Sequence, residues 1–228
     1  MGKSTTAARV RRHLVAAGVT VDLLCTDAFL LPNDELDRRG LALRKGFPES
    51  FDLDALGHCL GRLREDGGPV SVPVYSHATY DRVPGTIEEL GGVDLVIVEG
   101  VNVLQPPVAD ELSLSVYVDA EERDMRRWFL DRFTDLCTRA AEDEGATFYR
   151  GLLALSPDER QAVAESAWDQ INRVNLTDHI APTRARATYV LHKAGDHSVR
   201  GLVRQACPGP EAGYRRRRPG RRRGQEGS

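Results

Sequence analysis

Gly2-Lys3-Ser4 is the feature that most constrains what this chain can fold into. Gly-Lys-Ser/Thr closes the loop G-x-x-x-x-G-K-[ST], whose backbone N–H groups wrap phosphates between a strand and a helix. The residues that follow have the required context. Residues 5–17 (TTAARVRRHLVAA) are alanine-rich and free of Gly and Pro, which predicts a helix. Gly18 suits the position just past the helix end, and residues 19–25 (VTVDLLC) predict a short buried strand. The upstream half of the motif, a strand and a first glycine, is not within the sequence. The expected sheet therefore lacks its first strand, and the nucleotide site is expected to be incomplete at its N-terminal side.

A chain of 228 residues can bury one sizeable core, and 41% hydrophobic with 29% charged residues fits a globular domain. No apolar run approaches the roughly 20 residues that span a bilayer. No basic-then-apolar leader opens the sequence, so the expected location is cytoplasmic. Cys25, Cys59, Cys137 and Cys207 are widely spaced with no CxxC pair, which favours reduced thiols over a disulfide framework or a zinc site. The net charge of −3 is uneven: residues 201–228 hold eight Arg and two Glu, leaving residues 1–200 at −9. The Arg-rich stretch 206–228 is expected to be a disordered, solvated tail rather than a nucleic-acid site, and an acidic body argues against nucleic acid as the main partner. Residues 1–205 are expected to form one domain.

Apolar, partly β-branched runs at 93–98 (VDLVIV) and 114–118 (LSVYV) join 19–25 as expected buried parallel strands. Residues 187–191 suit a further strand before a short terminal helix. Helices are expected near 52–65, 121–139 and 157–171, the last with Ser156 as N-cap, Pro157 in the first turn and Glu159 closing a capping box. Alternating strands and helices predict an α/β fold with a doubly wound, mostly parallel sheet.

In such sheets ligands gather at the carboxyl ends of strands. Asp27 and Glu99 each stand just past a predicted strand, where a carboxylate can act as general base or support a metal ion. Each could equally cap a turn, and it is the pair beside Gly-Lys-Ser that favours chemistry. In the helix 121–139, Met125, Trp128, Phe129, Phe133 and Leu136 mark an apolar face, and Arg132 falls on it by spacing. A cation there needs an anionic partner, either a structural carboxylate or a phosphate. Tyr75, His77 and Tyr80 lie on an expected loop, PVYSHATYD, and Tyr-x-His on a loop is more often surface than site. Asn172 suits a helix end and His197 an exposed helix start.

Taken together, GKSTT (2–6), TDAFLLPN (26–33), RKGFPESFD (44–52), PVYSHATYD (73–81), VEGVNVLQ (98–105), YVDA (117–120), INRVNL (171–176) and APTRARA (181–187) occur in the order and spacing of a known family. The chain resembles the bacterial type I pantothenate kinases, within the phosphoribulokinase and uridine kinase group of P-loop kinases. The resemblance implies ATP- and Mg²⁺-dependent phosphorylation of pantothenate, the first step of coenzyme A synthesis. It implies that Gly2, Lys3, Ser4 and Thr5 hold the phosphates, that Ser4 and Glu99 serve the metal, and that Asp27 takes the substrate proton. It also implies that Arg132 contacts phosphate in the transition state and that His197 lies near the adenine. Tyr75, His77, Tyr80, Phe129 and Asn172 would line the pantothenate pocket. Phe129 stands where the family usually has Tyr, a lost hydroxyl of the kind that costs about 0.5–1.5 kcal/mol. Homodimerisation and feedback inhibition by coenzyme A are further implications of the resemblance. A kinase acting on another alcohol, such as a nucleoside, and an inactive remnant that only binds a ligand or partner are the alternatives.

Overall fold

The computed structural model describes residues 2–206, apart from 66, 144 and 146. The helix predicted after Gly2 forms over Lys3–Ala16 (α1). Gly2 is its N-cap at φ 84°, a left-handed conformation that glycine adopts without steric cost. Thr6 donates its backbone N–H and its hydroxyl to the Gly2 carbonyl, at 3.0 and 2.7 Å. The first strand, Val21–Cys25 (β1), runs straight into a 3₁₀ turn, Thr26–Phe29. Two helices follow, Asn33–Arg38 (α2) and Leu53–Glu65 (α3).

Val70–Ser76 (β2) and Asp81–Leu90 (β3) then form an antiparallel hairpin, with Val70 opposite Leu90 and Ser76 opposite Asp81. The expected loop PVYSHATYD is therefore corrected: Tyr75 lies on a strand, and only His77 and Tyr80 lie in the tight turn. The register shifts between Pro73 and Tyr75. That irregularity and the largely exposed β3 erase the period-two pattern by which a half-buried strand is recognised.

Leu95–Glu99 (β4) pairs in parallel with β1, setting Val21 opposite Leu95 and Cys25 opposite Glu99. Val116–Asp119 (β5) precedes the long helix Glu122–Ala140 (α4), the short helix Thr147–Gly151 (α5), and Pro157–Ala167 (α6). Tyr189–Lys193 (β6) pairs in parallel with β5, and Val199–Arg204 (β7) pairs antiparallel with β6. The parallel α/β architecture is as expected, carried by the β1–β4 and β5–β6 pairs. The expected short terminal helix is replaced by β7. Residues 199–204 (VRGLVR) include two β-branched valines, and the turn at 194–198 brings them back along β6.

The capping box of α6 forms as predicted: Ser156 N–H donates to Glu159 at 2.8 Å, and Glu159 N–H donates to the Ser156 hydroxyl at 3.3 Å. The helix does not end near residue 171. It passes through a π turn, Trp168–Asn172, and a second one, Leu176–Ile180. Three apolar clusters hold these elements. One joins β1, α3 and the hairpin base around Leu24, Leu56 and Val108; one joins α4, α5 and α6 around Phe133, Tyr149 and Ala164; one lies under β5 and β6 around Tyr117 and Val190. Cys25, Cys59 and Cys137 are free thiols, as expected. Cys207 and the Arg-rich stretch, apart from Ala206, lie outside the described residues. Among the described residues no helix is long and apolar enough to cross a membrane.

At the end of β4 the backbone of Gly100 passes so close to Thr26 that a Cβ there would lie 1.7 Å from the Thr26 hydroxyl oxygen. Both Thr26 and its neighbour Asn102 are fully buried and have no room to retreat. Gly100→Ala is therefore expected to destabilise the fold by about 1–3 kcal/mol or more, measured by urea denaturation against the parent chain.

Candidate active site

Gly2, Lys3 and Ser4 open α1. α1 is fourteen residues long and no side chain among the described residues caps its N-terminus, so its first-turn N–H groups have no side-chain acceptor. Ser4 and Thr5 are exposed on that first turn, and Lys3 is half-buried beside them.

The two strand-end acids converge. The β1–β4 register sets Cys25 beside Glu99, and Asp27 follows two residues later in the 3₁₀ turn. A buried hydrogen bond from the Thr26 hydroxyl to Asn102 Oδ1, 2.7 Å, ties the two strand ends together. Burial raises the Asp27 carboxyl above its ordinary value of 3.8 and Glu99 adds to the rise, while Lys3, His77 and Arg132 oppose it. Burial also holds the His77 imidazole below 6.5, with Arg132 and Lys3 reinforcing that and the two acids opposing it. Lys3, Asp27, His77, Glu99 and Arg132, picked from five separate stretches of sequence, thus share one electrostatic neighbourhood. The Cys25 thiol lies there too, pushed up first by burial and then by Asp27 and Glu99.

Arg132 differs from expectation in its surroundings. It is an exposed residue of α4, not a member of the buried face. Trp128, Phe133 and Cys137 supply that face instead, and Arg132 projects at its border toward Asp27 and Tyr149. Spacing alone cannot separate the middle of an apolar stripe from its edge.

The hairpin delivers the aromatic wall. Tyr75 and His77 meet edge to face at 5.3 Å. Tyr80, in a left-handed conformation at φ 56°, stacks on Phe148 of α5 at 4.9 Å. Burial pushes the Tyr80 hydroxyl up to about 12, with Tyr149 and Asp27 contributing. Lys45, which the sequence did not single out, is buried among them. Its ammonium donates to Asn33 Oδ1 and to the Tyr80 carbonyl, and lies 4.4 Å from the Tyr80 ring centre and 5.2 Å from that of Tyr75. Burial lowers its pKa while Asp81 and Asp27 hold it up. Phe148 and Tyr149 were also missed, as were Thr26 and Asn102. Lys45 had one signal, a basic residue inside RKGFPESFD; α5 had none.

Phe129 and Asn172 form an adjoining group. The Phe129 ring lies 5.8 Å from Trp168, which opens the π turn ending at Asn172, and 6.3 Å from Phe133, itself 6.0 Å from Tyr149. Asn172 is not the helix-end residue expected: it sits within a continuous helical run, where its Nδ2 donates to the Ala167 carbonyl at 3.0 Å. His197 is not at a helix start. It is exposed in the turn between β6 and β7 at φ 67°, stacked at 4.2 Å on the buried Trp128 indole, on the Gly2 side of the site.

A Gly-Lys-Ser helix start set against two strand-end acids on an α/β body defines a P-loop kinase. Residues 1–141 match the Phosphoribulokinase / Uridine kinase family, and the chain belongs to it. The chain is 47% identical over 213 residues to a protein named pantothenate kinase from Nitrobacter hamburgensis, covering 87% of this chain and 66% of that one. It is 46% identical over 212 residues to another from Sorangium cellulosum, covering 89% and 68%. This chain therefore spans about two thirds of the length of the curated relatives it matches. Two solved structures share the fold. A putative fructose transport system kinase from Silicibacter sp. TM1040 superposes with TM-score 0.61 at 24% identity, over 77% of this chain and 79% of that one. Phosphoribulokinase from Rhodobacter spheroides gives 0.53 at 16%, over 84% and 67%.

The raised Asp27 carboxyl has a consequence for stability. A carboxyl that is less acidic when folded contributes stability that is fully present below about pH 3.8 and lost as pH rises through its folded value. Asp27→Asn is therefore expected to be more stable than the parent at neutral pH, with the advantage shrinking toward about pH 4. Paired thermal melts across that range check the sign.

Proposed function

We propose that this chain carries the phosphoryl-transfer site of a pantothenate kinase. The observation that carries the reading is the convergence of Asp27, Lys3, Arg132, Glu99 and His77, in a chain 47% identical to a protein of that name. The γ-phosphorus of ATP would form a bond to the primary hydroxyl oxygen of pantothenate as its bond to the bridging oxygen of ADP breaks. Asp27 accepts the hydroxyl proton, and the burial that makes it more basic than an ordinary aspartate suits that task. Lys3 and Arg132 supply positive charge to the transferring group, and such positioning and neutralisation make up most of the catalysis in phosphoryl transfer.

Mg²⁺, when bound with ATP, supplies further charge neutralisation. The exposed Ser4 hydroxyl and the buried Glu99 carboxylate fit it, since Mg²⁺ takes one or two protein ligands and completes its shell with phosphates and water. Among the described residues no cluster of three or more His, Cys, Asp or Glu could cage an ion alone, which agrees with a metal that arrives with its nucleotide. His197 on Trp128 offers a ring face to the adenine. Tyr75, His77, Tyr80, Phe129 and Asn172, walled by α5, offer an aromatic and amide-lined recess for the acceptor. Homodimerisation and inhibition by coenzyme A belong to the same proposal, checked by light scattering and by competition against ATP.

The test is phosphorylation by the purified chain with labelled ATP, offering pantothenate and uridine separately. Turnover of pantothenate is expected. Turnover of uridine alone transfers the reading to a nucleoside kinase, and no transfer to either acceptor rejects it. Asp27→Asn is expected to lower kcat by about 10²–10⁴-fold with ATP affinity retained.

A further inference from the structure

Lys193 ends β6 in a position that the site described so far does not use. The residue is only 7% exposed, and neither a hydrogen bond nor a carboxylate engages its ammonium among the described residues. Its pKa is lowered by burial and then by Arg9. The ammonium is pressed against the start of the phosphate loop: a Cβ on Gly2 would come within 2.7 Å of Lys193 Nζ, the end of its side chain. On its other side it lies 5.7 Å from the ring centre of Trp128, the residue on which His197 stacks.

Among the described residues, the charge that acts on this ammonium is Arg9, of the same sign. The N-terminus of α1 is the positive end of its dipole, Lys3 opens that helix, and Arg9 lies on it. A buried cation among other positive groups is unfavourable unless an anion completes the arrangement. The Trp128 ring is attractive but brings no neutralising charge. Lys193 joins the uncapped N–H groups of α1 on one side to the Trp128–His197 platform on the other. A ligand resting on both would carry a ring at one end and several negative charges at the other.

We propose that Lys193 is a second phosphate-contacting cation of the nucleotide site, donating to a phosphate-anhydride oxygen on the base side of Lys3. This rests on the kinase reading for its ligand but not on the identity of the acceptor alcohol. In this assignment Gly2 turns the chain into α1 at φ 84°, and the Lys193 head lies beside that turn. The burial that disfavours the ammonium in the unliganded protein is offset when the polyphosphate arrives, so the residue contributes to binding and not to the stability of the free fold.

The experiment compares the full chain with Lys193→Met and Lys193→Arg. Inorganic tripolyphosphate and ATP are the calorimetric probes, with thermal melts taken without ligand. Lys193→Met is expected to melt no lower than the parent and to bind both probes about 10- to 100-fold more weakly, as loss of a charge-assisted hydrogen bond predicts. Lys193→Arg is expected to recover most of that affinity. Unchanged tripolyphosphate affinity in Lys193→Met overturns the inference, as does a parent chain that binds no tripolyphosphate. Should the methionine variant fail to fold, Lys193→Gln takes its place under the same criteria. If the parent binds tripolyphosphate through Lys193 but leaves pantothenate unphosphorylated, the acceptor assignment fails and the role of Lys193 stands.

Discussion

The parallel pairing of β1 with β4 is the constraint on which the rest of the site depends. Its register sets Cys25 opposite Glu99, so the acid that ends one strand stands beside the turn that carries Asp27. Parallel pairing alone would leave the two strand ends free to splay. The buried Thr26–Asn102 hydrogen bond closes them, and Gly100 lets the backbone come near enough for that bond to form. Without a Cβ at that point two chain segments share a space in which side chains could not both fit. The separation of the acids is thus held by packing rather than by the flexible reach of their own side chains.

Around that frame the charges are arranged so that a negatively charged ligand completes them. Lys3, Arg132 and His77 act on Asp27 and Glu99, while among the described residues no carboxylate is found to answer Lys193 beside the α1 N-terminus. A structural ion-pair network would show bonded pairs, as the protein does elsewhere, for example between Arg184 and Asp119 at 3.0 Å. Here the positive groups instead border the uncapped end of a helix. Burial then has opposite consequences for the two signs: it makes Asp27 a stronger base and makes the Lys193 ammonium more dependent on an incoming anion.

The aromatic side of the site is built from parts that have little stability of their own. A two-stranded hairpin is marginal in isolation. This one is anchored at its base by Val70, Val72 and Leu90 in the main core, and at its tip by Lys45, which donates to the Tyr80 carbonyl. Tyr80 in turn stacks on Phe148, and Asn175 Nδ2 donates to the Gly46 carbonyl at 2.8 Å, which holds the segment carrying Lys45. The turn that bears His77 is therefore held by contacts from residues around positions 45, 80, 148 and 175, distant from one another in the chain.

Features governed by neighbouring residues were determined by the sequence alone. The helix after Gly2, the strands that end at Cys25 and Glu99, the Ser156–Glu159 capping box and the Gly-Lys-Ser loop all follow from local propensity, capping chemistry and steric freedom. The acids at the strand ends and the family resemblance were legible for the same reason. Only the tertiary structure decided that PVYSHATYD is a bulged hairpin, that residues 199–204 return as a strand, that Arg132 lies at the rim of its helix face, and that the helix through Asn172 continues through π turns. Tyr149 and Lys193 carried no sequence signal that singled them out, because nothing in the residues beside them reports what will be folded against them. Their burial and charge environment are set by segments distant in the chain, and those terms come into being only when the segments meet.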